Sequence, residues 1–299
     1  MRTASAASLA LALLGCSGTP RPRLPPGEAA LTIEGRLEDG PLDLRASDLR
    51  ALPRRAFRAR EPSTGREALF EGVSVADLLL DAVRPKRGAD TLVVRGRGGR
   101  EATVTRTRLR DLRPILADRA DGKPIEDWAR EAGLGLEAPL LAWPNLDQPG
   151  LALDPRAPSW WVSGVSTLAV ETWEASYGAA LALPGAASDE ARRGQARFAD
   201  HCLPCHRLRG AGGTRAPAIV PPGWPPDRIA TRLEAHGADS AWIPPGADGA
   251  VARREIAAFL QAAAASSEPQ EDRPGEAEEP ARRPEPPPPP GPAPRPPLQ

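Results

Sequence analysis

Apolar and polar positions alternate where the first patterned stretch begins. Leu31, Ile33 and Leu37 are set against Thr32, Glu34 and Arg36, the period of a half-buried strand. Ser47 is placed to cap a short helix running to Leu52. Arg54–Arg60 reads as extended, Ser63-Thr64-Gly65 as a turn and Ala68–Glu71 as a strand. Ser74 then caps a helix whose buried face holds Leu78, Leu79 and Val83. Thr91–Arg95 and Glu101–Thr105 flank Gly96-Arg97-Gly98-Gly99 as the arms of a hairpin, and Ser166–Thr172 is a further strand. Strands and helices mix without a regular βαβ period, so residues 29–177 are expected to form an α+β domain.

The period then changes. After a small-residue linker, 178–187, Ser188 is a good N-cap for a helix Asp189–Ala199 that carries Asp189 and Glu190 in its first turn. A second helix is predicted over Asp227–Ala235, with Gly237 as its C-cap. A third, Arg253–Ala264, puts Ile256, Phe259 and Leu260 on one face. Residues 188–265 are therefore expected to be an all-α domain. Beyond them, 266–299 turns to Ser, Glu, Pro and Arg and includes the run Pro286–Pro290. Such a tail cannot bury a core and is expected to be disordered, with polyproline II character, as a spacer or a partner-binding segment.

A length of 299 residues suits about two domains. The 39 basic and 39 acidic residues cancel, so neither nucleic acid nor an anionic membrane surface exerts a strong pull. Lys86 and Lys123 are the only lysines, which marks a composition bias toward Arg. Three cysteines make no disulfide framework.

Two of the three stand in His201-Cys202-Leu203-Pro204-Cys205-His206. Cys-x-x-Cys-His is the attachment motif of a c-type haem. Two thiols add across the haem vinyl groups, one helical turn holds them at the required spacing, and His206 supplies the proximal nitrogen to iron. A thioredoxin-like redox pair would need a βαβ surround and would not need the histidine. A zinc site would need a second pair of ligands. The remaining candidates are Cys16, His201 and His236.

The flanks, over about Ser188–Ala264, resemble the class I cytochrome c family. Gly194 and Phe198 stand where that family crosses its first helix with its last, and Phe259 stands at the aromatic position of the last helix. Gly210-Ala211-Gly212-Gly213-Thr214-Arg215-Ala216-Pro217 is similar to the family's Gly-rich loop, which ends in a Pro beside the proximal His. The resemblance implies one covalent haem c held by Cys202, Cys205 and His206, with Pro217 in the haem pocket. The family's distal Met is absent: the segment reads Trp242-Ile243-Pro244-Pro245, and the one methionine is Met1. The sixth iron position is then open or filled by His236, whose alternative role is to complement its helix end.

The N-terminus reads as a targeting segment. Arg2 precedes the apolar run Ala6–Leu14, too short to span a bilayer. Leu13-Leu14-Gly15-Cys16 resembles the bacterial lipoprotein box, which implies a signal peptide over 1–15, acylation of Cys16 and a Pro/Gly-rich tether over 16–28. An ordinary signal peptide cut nearby is the alternative. The expected place is the periplasmic side of a bacterial membrane, which fits a haem attached outside the cytoplasm.

The α+β region resembles, in compact form, the molybdopterin-binding domain of the sulfite oxidase family. The matching pieces are Phe70-Glu71-Gly72-Val73, Asp121-Gly122-Lys123-Pro124-Ile125, Pro139-Leu140-Leu141-Ala142-Trp143-Pro144 and Trp160-Trp161-Val162. The family's molybdenum ligand is a Cys just after the strand that Arg54–Arg60 matches. Here that stretch is Arg58-Ala59-Arg60-Glu61-Pro62-Ser63 and the region holds no Cys, so molybdopterin is not expected as a working cofactor. Arg54, Arg55, Arg58 and Arg60 are either a phosphate-holding cluster or a solvated strand face.

These readings favour an electron-transfer protein, a lipid-anchored cytochrome with redox partner proteins in the periplasm or respiratory membrane and a docked α+β module. The alternative is a redox enzyme that binds a pterin or small substrate in the first domain and passes electrons to the haem. A haem-based gas or redox sensor, suggested by the missing Met, is a third.

Overall fold

The computed structural model describes residues 23–25, 27–79, 83–152, 154, 156–219, 226–239 and 247–265. The expected anchor at Cys16, the Trp242–Pro245 segment and the tail 266–299 lie outside the described residues. So does the His236 side chain.

Two sheets build the first lobe. The alternation at Leu31 gives β1 (Leu31–Gly35), with Leu31 and Ile33 fully buried, followed by β2 (Leu42–Leu44). Helix α1 (Ala46–Ala51) comes next, then β3 (Arg54–Arg60), β4 (Glu67–Ser74) and α2 (Val75–Asp77). The hairpin arms are β5 (Thr91–Gly96) and β6 (Glu101–Thr105), and α3 (Arg106–Leu112) leads to β7 (Ile115–Ala120). The remaining elements are β8 (Lys123–Pro124), α4 (Ile125–Glu131), β9 (Leu140–Ala142), α5 (Pro149–Ala152), a 3₁₀ turn Ala157–Trp160 and β10 (Val165–Glu171).

One sheet has the order β2-β1-β10-β5-β6, in which β1 and β10 run parallel and the other pairs antiparallel. The second has β3-β4-β7-β8, with β9 also on β7, and is antiparallel throughout. Their apolar faces share one core with Phe70, Trp128, Trp143 and Trp160. Phe70 meets Trp128 and Trp161 edge-on, at 5.5 Å between ring centroids in each case. The lobe is α+β, as its mixed pattern predicts.

The second lobe is helical. A π-turn Glu174–Gly178 and α6 (Ala179–Leu181) lead into α7 (Asp189–His201). After the short strands β11 (Arg207–Leu208) and β12 (Ala211–Gly212) come α8 (Pro226–Asp239) and α9 (Ala247–Ala265). A separate core gathers Phe198, Leu203, Leu208, Ile256, Phe259 and Leu260, together with Tyr177 and Leu181 from the stretch that follows β10. Both lobes belong to one compact unit.

Three local expectations are corrected. Ser47 does not cap α1: the helix begins at Ala46, where the Asp48 carboxylate accepts the Arg45 backbone N–H at 2.8 Å. Gly237 does not end α8, which continues to Asp239; one glycine near a helix end costs only about 1 kcal/mol. The last helix starts at Ala247, ahead of the predicted start at Arg253, because periodicity marks only the buried face.

Candidate haem-attachment site

Helix α7 is started by Ser188, whose Oγ accepts the Ala191 N–H at 3.2 Å. Its buried face is Ala191, Gly194 and Phe198, and it crosses α9 there. A Cβ on Gly194 would lie 1.8 Å from the Glu255 carbonyl oxygen, so only glycine permits the approach. Phe198 and Phe259 fill the crossing, 5.1 Å apart between ring centroids. Glu255 of α9 is buried, and its carboxylate accepts Arg193 Nε at 2.6 Å and Arg197 Nε. Burial opposes its ionisation, but hydrogen bonds from Arg193 and Arg197 hold it below the usual carboxylate range.

The motif continues directly from this helix. Cys202 N–H closes on Phe198 O at 2.9 Å and ends α7. Cys205 N–H and His206 N–H then both reach Cys202 O, at 3.1 and 2.9 Å, so the two cysteines stand on one turn. The Gly-rich loop folds back over that turn. Gly213 N–H donates to Leu203 O at 2.8 Å and Ala216 N–H to Cys205 O at 2.9 Å. A Cβ on Gly213 would lie 2.0 Å from Pro204 O. The loop ends with Pro217 O accepting His206 Nδ1–H at 2.7 Å. This bond places the ring proton on Nδ1 and the ligating lone pair on Nε2.

Both thiols are held protonated at neutral pH. Burial, helped by the neighbouring Cys205, pushes Cys202 up to about 12. Burial also raises Cys205, against the fields of Arg215 and Arg100 and a Ser159 hydrogen bond. A reactive redox dithiol calls for the opposite shift. Among the described residues, no group of three or more His, Cys, Asp and Glu side chains could hold a metal ion. The turn therefore fits a haem through two thioethers and one imidazole, with the bond to Pro217 already aiming the imidazole.

The α+β lobe reaches this site, which sequence patterning did not show. Ser159 contacts the Cys205 sulfur, and Arg156 Nη1 donates to Asp200 O at 3.3 Å at the end of α7. Glu101 N–H donates to Thr214 Oγ1 at 2.9 Å, and the Tyr177 hydroxyl pairs with Thr103 Oγ1. Arg108 stacks over Trp160 at 4.0 Å. His201 ends α7 on this side, half-buried beside Arg156 and Asp200.

On β3, Arg54 pairs with Asp118, Arg55 with Asp77 at 2.8 Å and Arg60 with Glu67 at 2.6 Å, the pattern of a solvated strand face. Where a thiolate would follow β3, the Glu61 carboxylate is closed off instead. It accepts the N–H and hydroxyl of both Ser63 and Thr64 at 2.7–2.9 Å. These residues do not fit thiolate-held molybdenum. Among the described residues, no helix is long and apolar enough to cross a membrane.

No family model matches the chain, and no curated protein does. Among solved structures the chain is similar to the sulfane dehydrogenase SoxCD from Paracoccus pantotrophus, at 17% identity and a TM-score of 0.37. The match covers 53% of this chain and 45% of that one, so this chain spans under half the length of that relative. A likeness at this level assigns the chain neither fold nor activity.

Proposed function

We propose that this protein is a c-type cytochrome, an electron carrier with one covalent haem and an α+β module seated on the attachment turn. The observation that carries the reading is the His206 Nδ1–H bond to Pro217 O at 2.7 Å, made by a loop that wraps the Cys202–Cys205 turn. A bound c-type haem supplies a one-electron ferric/ferrous couple. Cys202 and Cys205 bind it, His206 ligates through Nε2, and Pro217 O fixes the ring's tautomer and plane. Leu203, Leu208 and Phe198 exclude water beside the turn. The sixth iron position would be open or filled by His236 of α8, and a His236→Ala variant separates the two: an unchanged spin state means that His236 does not ligate. Cys16 is proposed as the acylated anchor on the periplasmic side, where the redox partners are membrane or periplasmic proteins.

Acid-acetone extraction of the denatured protein tests the attachment, because thioether bonds survive it. The expected result is colour retained on the polypeptide, and lost in Cys202→Ala/Cys205→Ala. Colour that extracts from the wild type overturns the reading.

One observation favours a redox enzyme as the second reading: a cavity of about 290 Å³ lies between the lobes, lined by Glu61, Arg100, Trp161 and Arg215. Metal analysis separates the two readings. Stoichiometric molybdenum in the purified protein would reject the carrier.

A further inference from the structure

Strand β3 lies at the edge of its sheet, in the order β3-β4-β7-β8. It pairs with β4, antiparallel and without a register shift from Arg54↔Val73 to Arg60↔Glu67. Backbone groups along a strand alternate between its two sides. The Arg60 N–H donates to Asn145 Oδ1 at 2.8 Å, and Asn145 Nδ2–H donates to Arg60 O at 2.8 Å, so Arg60 faces away from β4. By the same alternation Arg54, Ala56 and Arg58 turn their N–H and C=O groups outward, and all three residues are exposed. Among the described residues no strand or side chain meets those groups. At the end of the edge, Asn145 already makes the paired bonds that an added strand would make beside it.

An open edge is a template for another chain, and charge is the usual guard against the wrong one. Here the guard is selective. Two copies of β3 paired antiparallel about Ala56 set Arg54 against Arg58. Paired about Phe57 they set Arg54 against Arg60, and about Arg58 that residue against itself. Like charges directly opposite are destabilising, so the edge repels its own copy and suits an acidic strand. Arg54 is drawn across the sheet to Asp118 and Arg60 to Glu67, while Arg58 has no ion-pair partner among the described residues. Across from Arg58 on β4 stands Leu69, 37% exposed and the one large apolar side chain so exposed among the described residues. We infer that the β3 edge is a docking site for an extended acidic segment of a partner protein. The segment adds as an outer strand, with a carboxylate opposite Arg58 and apolar residues beside Phe57 and Ala59. The inference concerns the α+β lobe and stands apart from the haem reading.

The test is amide hydrogen exchange, read by NMR on the full chain, alone and with a synthetic capped peptide. The peptide alternates Glu and Val over about eight residues, an ordinary strand length. In the free chain the amides of Ala56 and Arg58 should exchange fast. Those of Phe57 and Ala59, bonded to β4, and of Arg60, bonded to Asn145, should exchange slowly. The acidic peptide should slow Ala56 and Arg58 and leave Phe57 and Ala59 unchanged. The same peptide with Lys in place of Glu should slow neither. Arg58→Glu should weaken the acidic peptide about fivefold and let the Lys peptide bind, the swing of one cross-strand charge pair. Ala56→Pro removes one outward donor and no bond to β4, so it should abolish the protection of Arg58. Arg58→Glu, a surface substitution, carries the test by itself where Ala56→Pro does not fold. Equal protection by both peptides, or none by either, overturns the inference. Slow exchange at Ala56 and Arg58 in the free chain overturns it as well: with a doubled mass in solution the occupant is a second copy, and with a single mass the edge is already covered.

Discussion

Three side chains of the Cys202–His206 turn and the helix end before it are held from different sides. His206 is oriented by Pro217 O, Cys205 touches Ser159, and His201 sits between the Arg156 and Asp200 charges. Burial lowers His201 from its ordinary 6.5, and the positive fields of Arg156 and Arg197 outweigh Asp200 and Asp154 in the same direction. The folded chain then takes up this proton less readily than the unfolded one. Its contribution to stability is complete above the unfolded pKa of about 6.5 and is lost as pH falls through the lower folded value. Urea midpoints measured from about pH 7 down to about pH 5 should fall in the wild type and fall less in His201→Gln. Parallel slopes would show that His201 does not titrate at the interface.

The crossing of α7 and α9 depends on one missing methyl group. Gly194→Ala would drive a Cβ to 1.8 Å from Glu255 O and 3.0 Å from Phe259 Cβ, both fixed by the packed helix. The helices must separate, and the Phe198–Phe259 contact opens with them. Such overpacking against backbone should cost about 3 kcal/mol, read as a drop in urea midpoint at constant slope. A loss below about 1 kcal/mol would contradict so close a crossing. Gly213→Ala, aimed at Pro204 O from 2.0 Å, should instead displace the Gly-rich loop from the turn. Its expected signature is a weakened His206–Pro217 bond, seen as a changed imidazole NMR resonance in the assembled protein.

Among the described residues, polar contacts such as Glu101–Thr214, Tyr177–Thr103 and Arg156–Asp200 join the lobes. Heating the full chain should therefore give one calorimetric transition, with van't Hoff and calorimetric enthalpies in agreement. Two resolved transitions would show lobes that fold independently. Tyr177→Phe keeps the packing and removes the hydroxyl that pairs with Thr103, which should cost about 1 kcal/mol. Acid should loosen the same interface. Burial alone would raise Asp154, but the Arg156 hydrogen bonds outweigh it and hold its pKa down. That stability is present above the unfolded pKa of about 3.9 and is lost as pH falls through the folded one.

The sequence by itself determined what short-range chemistry decides. Ser188 starts α7 and Ser74 starts α2, because a hydroxyl at the N-cap answers backbone N–H groups two or three residues away. The hairpin around Gly96-Arg97-Gly98-Gly99, the alternation at Leu31 and Ile33, and the Cys202–His206 spacing are local in the same sense. Ser47 misled because the Asp48 carboxylate, one residue on, takes the N–H at the helix start. Gly237 misled because helix packing outweighs the propensity of one residue. Only the tertiary structure decided that β1 lies parallel to β10, since that pairing joins residues such as Thr32 and Thr167 across most of a lobe. It likewise decided that Ser159, Glu101 and Thr103 meet the helical lobe. Those residues carry no periodic signal, and their contacts exist only because both cores have already fixed the surfaces that bear them.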